Sequence, residues 1–334
     1  MGAVILRLEQ AGPHDPVAGT PARVPGSVRR TTTIDTSRPD GLFGQAIMRG
    51  AARDVLTMAD GSASVAATAL IEAVIDPRTG QIVTLHTNPA PAGVDGLAGA
   101  SVMSRFRATL DATLPGMGST GAPLYLLLDD LPGAALVGGY SFLRGDALVD
   151  SGRKAGIKVD ICAGWADGST MVDAIRTTGK AATPIGPTAP ALVNPDDPAG
   201  WHDMGAGPGP HGTRRLRRID VGPDRDDGRC TLDVLFRDSH WDEDGEETVI
   251  HEYSLSAEVD PPTGRITSID ASADVLPWME CPGALASASR VVDRDFADLR
   301  QWVRREMTGT STCTHLNDTL RSLADLGALL SLRG

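Results

Sequence analysis

The sequence predicts an α+β protein made by tandem duplication. Each copy is a module with a three-stranded antiparallel sheet and helices on one face, and the two close into a pseudo-dimer. Three observations predict this. Landmarks recur in the same order in both halves: Arg38 and Gly41 of RPDG fall on Arg225 and Gly228 of RDDG, and Asp76 and Gly80 of DPRTG fall on Asp260 and Gly264 of DPPTG. Apolar residues near these landmarks alternate as in half-buried strands, as in RITSI at Arg265 to Ile269. The period then becomes helical, and VMSRFRATLDATL in the first half matches VVDRDFADLRQWV in the second.

The elements follow in order. Residues 1–28 are rich in Gly, Pro, Ala and Thr and are expected to form a flexible or surface-hugging arm. The first, degenerate module occupies residues 29–144. In it DG opens a strand and D-P-x-T-G makes a turn, with Pro at the first central position and Gly supplying a positive φ. Residues 145–212 lie outside the repeat. IKVDICAGWADGSTMVDAI reads as a short strand, a turn and a helix, and ATPIGPTAPALVNPDDPAGWHDMGAGPGPHG as an irregular linker or lid carrying Trp201 and His202. The second module occupies residues 213–334. Its first helix is marked by Leu285, Val291, Val292, Phe296, Leu299 and Val303. Its last is capped by Thr314 and carries Leu316, Leu320, Leu323 and Leu326.

A 334-residue chain can bury two cores, and scarce aromatics (4%) leave Ala, Val, Leu and Ile to build them. A net charge of -12 argues against nucleic acid and anionic membranes as partners. RRLRR at Arg214 to Arg218 is followed at once by Asp220, Asp224, Asp226 and Asp227, and reads as a solvated or salt-bridged strand. No membrane-length apolar run and no secretory leader is visible, so a cytoplasmic location is expected. The expected partner is a small-molecule substrate, with the chain a monomeric pseudo-dimer or a homodimer.

The candidate site is the cluster Cys281, Cys313 and His315, each near the start of a predicted helix, where backbone N–H groups and the helix dipole favour thiolate. These soft and borderline ligands suit zinc, with an open fourth position. A metal-free thiol paired with histidine, or buried structural cysteines, would fit the same residues. His251 and Tyr253 share one strand face and Glu252 the other, and His251 joins Cys313 and His315 as a catalytic candidate. Arg38 with Asp40, and Arg225 with Asp227, are read as turn-stabilising residues beside Asp238. HWDEDGEE at His240 to Glu247 lacks a calcium-loop spacing. No dinucleotide fingerprint, P-loop, H-E-x-x-H or G-x-S-x-G is present.

The run R-x-D-G, Asp238, D-x-x-T-G, C-P at Cys281 and C-T-H-L at Cys313 resembles the bacterial domain of unknown function 2889 family over residues 213–326. A degenerate repeat spans residues 29–135, with Ala90 opposite Cys281 and G-A-P-L at Gly121 to Leu124 opposite C-T-H-L. That resemblance implies catabolism of aromatic compounds, including cleavage of a small carbon unit. V-D-x-x-x-G-x-I followed by Cys281 and a late Cys313 also resembles the iron–sulfur scaffold fold of the NifU N-terminal and IscU type. It lacks the remaining scaffold cysteine, and His315 follows Cys313 instead of preceding it. The functions expected are a lyase cleaving C–C or C–O bonds or a hydrolase, then a non-enzymatic metal or iron–sulfur scaffold, then a structural module.

Overall fold

The computed structural model describes residues 4–5, 11–144 and 158–333. Its first half contains β1 (Val4–Ile5), β2 (Val28–Ser37), β3 (Ala46–Thr57), β4 (Ala63–Ile75), β5 (Ile82–Asn88), α1 (Phe106–Thr113), α2 (Pro123–Gly138) and α3 (Tyr140–Arg144). Then come α4 (Thr170–Thr178), β6 (Ala182–Thr183), β7 (Thr213–Val221), β8 (Cys230–Trp241), β9 (Glu247–Asp260) and β10 (Arg265–Val275). A 3-10 run (Cys281–Val291) leads to α5 (Leu299–Glu306), α6 (Thr314–Ser322) and α7 (Leu326–Ser331).

One antiparallel eight-stranded sheet, ordered β10-β9-β8-β7-β2-β3-β4-β5, carries the molecule. β1 and β6 form a separate parallel pair. Each half is a four-stranded meander, not the expected three-stranded module. The additional strands are β2 and β7, which pair with each other from Val28↔Val221 to Thr36↔Thr213. Backbone hydrogen bonds therefore run through the junction, and no cleft separates the halves at that point. The D-P-x-T-G turns take the expected form, with φ 68° at both Gly80 and Gly264.

β2 and β7 were hard to read because their inward residues are charged. Arg30, Arg215 and Arg217 face the helices and are buried, so of the two expectations for RRLRR, a solvated or a salt-bridged strand, the salt-bridged strand is the one that forms. An alternating chain of ion pairs runs Asp54–Arg30–Asp325–Arg300–Asp129–Arg321–Asp318–Arg215–Asp238. Arg217 adds a pair with Asp130, and Arg107 bridges Asp129 and Asp318. Opposite charges at hydrogen-bond distance offset the cost of taking these groups out of water. Gly133 on α2 allows the approach, because a Cβ there would lie 1.7 Å from Nη1 of Arg215 and 2.5 Å from Oδ2 of Asp318. Apolar cores flank the network, one around Ile34, Met48, Ile71 and Leu128, the other around Val234, Leu255, Leu299 and Leu320.

The other face of the sheet is covered by residues 11–27 and by the Pro/Gly-rich segment. Val17 donates its N–H to Glu252 at 2.6 Å, and Arg23 pairs with Asp197 at 2.8 Å, so this part of the arm is held against the protein. Leu192 and Trp201 pack on Leu216 and Leu235, and His202 lies over β2. From Leu192 to His202 the segment is thus a cover for the sheet face opposite the helices. The strand expected near Val159 is absent among the described residues, whereas the helix after Gly168 forms as α4. No described helix is long and apolar enough to cross a membrane.

His202 makes this cover sensitive to acid. Its Nδ1 is 2.8 Å from Oγ1 of Thr31 and its Nε2 2.9 Å from Oγ1 of Thr33. A neutral ring donates to one hydroxyl and accepts from the other. Burial, aided by Arg53 and Arg214, pushes its pKa down to about 4. The unfolded ring titrates near ~6.5, so its contribution is complete above that pH and is lost as pH falls towards 4. Denaturant unfolding is expected to lose on the order of 3 kcal/mol across this window from His202. In His202→Gln that share of the slope disappears; an unchanged slope would contradict this assignment.

Candidate metal and thiol site on the helix face

Strand parity places the site. Leu232, Val234, Phe236 and Asp238 share the inward face of β8, and His251, Tyr253 and Leu255 that of β9. Asp238 and His251 are direct partners across the ladder, and a bulge follows between Asp238 and Ser239. Cys313 occupies the N-cap position of α6, and His315 is the second residue of that helix. The cap expected at Thr314 therefore shifts by one residue, and neither Cys313 nor Thr314 supplies a side-chain cap.

Among the described residues, Asp238, His251 and His315 form the one group of three metal-ligating side chains whose donor atoms lie within 4.8 Å of one another. Nδ1 of His251 and Nε2 of His315 are each 3.8 Å from Oδ2 of Asp238, too far for a hydrogen bond. Both nitrogens are buried and have no hydrogen-bond partner. The rings stack at 3.6 Å between centroids, 21° from parallel. Nδ1 of His315 faces Sγ of Cys313 at 3.8 Å and Oγ1 of Thr314 at 3.4 Å. With the proton on Nδ1, Nε2 presents a bare lone pair to a carboxylate oxygen. Arg215 donates to both oxygens of Asp238, at 2.8 and 3.0 Å, so the carboxylate meets the imidazoles as an acceptor.

Electrostatics keep the imidazoles uncharged. Burial, with Arg215 next, pushes the pKa of His315 down to about 3. Burial and then His315 lower that of His251 well below its usual range, although Asp238 opposes them. Burial favours a neutral Asp318, but Arg107, Arg321 and Arg215 outweigh it and hold the group far below the normal carboxylate range. Neutral nitrogen ligands beside a carboxylate oxygen are a donor set that a divalent cation accepts.

Helix starts do not hold the cysteines as thiolates. Burial raises the pKa of Cys313, Cys281 and Cys162, the last to about 12. Cys281 begins a 3-10 run instead of the expected α-helix. Cys162 neighbours both other thiols, and Tyr253 reaches Cys313. All four cysteines are unpaired by disulfides.

The three catalytic candidates, His251, Cys313 and His315, are brought together. Of the expected metal set, Cys313 and His315 are neighbours, while among the described residues Cys281 belongs to no three-donor group within 4.8 Å. Asp238 and Arg215 are not among the sequence candidates: Asp238 stands out only as a residue flanking a strand, and Arg215 only as part of a charge run. Parity was the available signal: Asp238 stands two residues beyond inward Phe236, directly opposite His251. No curated protein and no solved structure matches the chain. Residues 213–328, which carry the whole Asp238/His251/His315 cluster, match the family described as protein of unknown function (DUF2889).

Proposed function

We propose that this protein is a metal-dependent enzyme acting on a small organic molecule, a lyase or hydrolase, with Asp238, His251 and His315 as the metal ligands. One observation carries this reading: two buried imidazole nitrogens and a carboxylate oxygen converge with no hydrogen bond between them. A cation among the three would relieve the repulsion of their lone pairs. Separations of 3.8 Å fit around an ion with bonds of roughly 2.0–2.2 Å, which suits zinc.

A divalent ion there, with a position left open, would polarise a substrate oxygen or acidify a bound water. The protein's own residues do the positioning. Arg215 fixes Asp238, Cys313 and Thr314 orient the ring of His315, and stacking aligns His251. Arg215 already shares the charge of Asp238 and both imidazoles are neutral, so the loaded site is net positive. It therefore favours substrates with a carboxylate, phenolate or developing enolate. Aromatic-compound catabolism, with release of a small carbon unit, is consistent with that preference. Arg30 opposite Asp54 and Arg215 opposite Asp238 stand in like positions of the two meanders, which supports a duplication as their origin.

Elemental analysis of the untagged protein tests the reading. About one zinc per chain is expected, retained in Cys281→Ser and lost in His251→Ala and His315→Ala. Zinc lost in Cys281→Ser and Cys313→Ser but kept in His251→Ala would transfer the site to the thiols. Iron with visible absorbance would favour the scaffold alternative, and a metal-free protein would sink the metal reading.

A further inference from the structure

We propose that the cavity between β2, β4 and the C-terminal end of α2 binds a small monocarboxylic acid, with Arg38 and Thr36 gripping its carboxylate. The cavity measures about 110 Å³ and is lined in part by Thr36, Arg38, Met48, Ile75, Val102 and Phe142. That is room for several waters or a small organic ion.

Two polar groups on its wall are left without partners. Oγ1 of Thr36 is buried and makes no hydrogen bond, in a residue only 2% exposed. Nε of Arg38 is likewise buried and unpaired. The rest of that guanidinium reaches only carbonyl oxygens, of Leu42 at 3.3 Å and Gly138 at 3.2 Å, and it lies 4.6 Å over the ring of Phe142. No acidic side chain pairs with Arg38 among the described residues. Two orphaned donors on one cavity wall match the two oxygens of a carboxylate, for which a planar guanidinium is the preferred partner.

The second half shows what is missing. Arg225, in the corresponding loop, pairs with Glu258 of β9 at 2.6 Å. The landmark Asp76 falls on Asp260, so the position corresponding to Glu258 is Val74, and no carboxylate arises from β4 there. Burial accordingly lowers the pKa of Arg38, whereas Glu258 raises that of Arg225. Met48, Ile75, Val102 and Phe142 would hold an apolar body, aromatic or short aliphatic. Asp76 also borders the cavity and is engaged with its own turn, through the N–H of Arg78 at 2.8 Å. Its charge disfavours a dianion. A structural role for Arg38, holding the end of α2, would leave the Thr36 hydroxyl and the cavity unexplained.

Titration calorimetry of the full chain with benzoate, and with benzyl alcohol as its neutral counterpart, tests the proposal; acetate and butyrate probe size. Saturable binding is expected for at least one acid, with benzyl alcohol at least tenfold weaker. Thr36→Val should weaken binding several-fold and Arg38→Met abolish it, with zinc content unchanged in both. Equal binding of benzoate and benzyl alcohol, undiminished binding in both variants, or no saturable binding of any acid would overturn it. Should Arg38→Met fail to fold, Thr36→Val decides. Because zinc is read separately, failure here leaves the metal reading standing, and the reverse also holds.

Discussion

Arg215→Met is expected to lower the free energy of unfolding at pH 7 by about 3–5 kcal/mol, measured by denaturant titration. Arg215 is 2% exposed and bridges Asp238 at 2.8 Å and Asp318 at 2.7 Å. Its own charge is stabilised strongly enough, mainly against burial by Asp238 and Asp318, that its pKa lies above the normal arginine value. Removing it strands the fully buried carboxylate of Asp238 with no water to solvate it, and takes from Asp318 one partner besides Arg107 and Arg321. The same substitution at exposed Arg225 should change nothing measurable, because solvent screens its pair with Glu258. Combining Arg215→Met with Asp238→Leu should recover much of the loss, since the stranded charge is then gone and Asp318 keeps Arg107 and Arg321. If Arg215→Met cost less than about 1 kcal/mol, the network would not be what holds helices to sheet.

Zinc should stabilise the wild-type protein by about 2.7 kcal/mol when free metal is a hundredfold above its Kd, and should do nothing for His315→Ala or His251→Ala. Binding to the folded state alone shifts unfolding by mass action, so this readout needs no substrate. Each variant removes one of the two unpartnered nitrogens while leaving the ion-pair chain through Arg215 and Asp318 in place. Cys281→Ser should respond like wild type, because its sulfur lies outside the three-donor group. Equal stabilisation of wild type and both histidine variants by zinc would place the ion elsewhere.

Much of the second half was legible in the sequence. Alternation put His251 and Tyr253 on one face and Glu252 on the other, and Glu252 does turn away to Arg237 and Val17. Glycines in the D-P-x-T-G turns hold the positive φ expected of them. What misled was charge. Arg214 to Arg218 read equally as a solvated or a salt-bridged strand, because local sequence reports polarity but not distant partners. The acids that neutralise the inward members of this run, Asp130, Asp238 and Asp318, come from three other elements.

Turn chemistry, strand parity and helical period are local properties, so the sequence by itself determined the strands that flank each D-P-x-T-G turn and the inward face of the strand that carries His251. It also grouped His251, Cys313 and His315 as the residues to watch. Tertiary structure alone decided that β2 and β7 pair, since the pairing is between strands far apart in the chain whose buried arginines need acids from elsewhere. Pairing brings α2 and α6 over one sheet, and that stacking leaves Asp238, not Cys281, as the third side chain facing the two imidazoles. Which donors share a site is set by distances across the fold, and sequence spacing does not encode those distances.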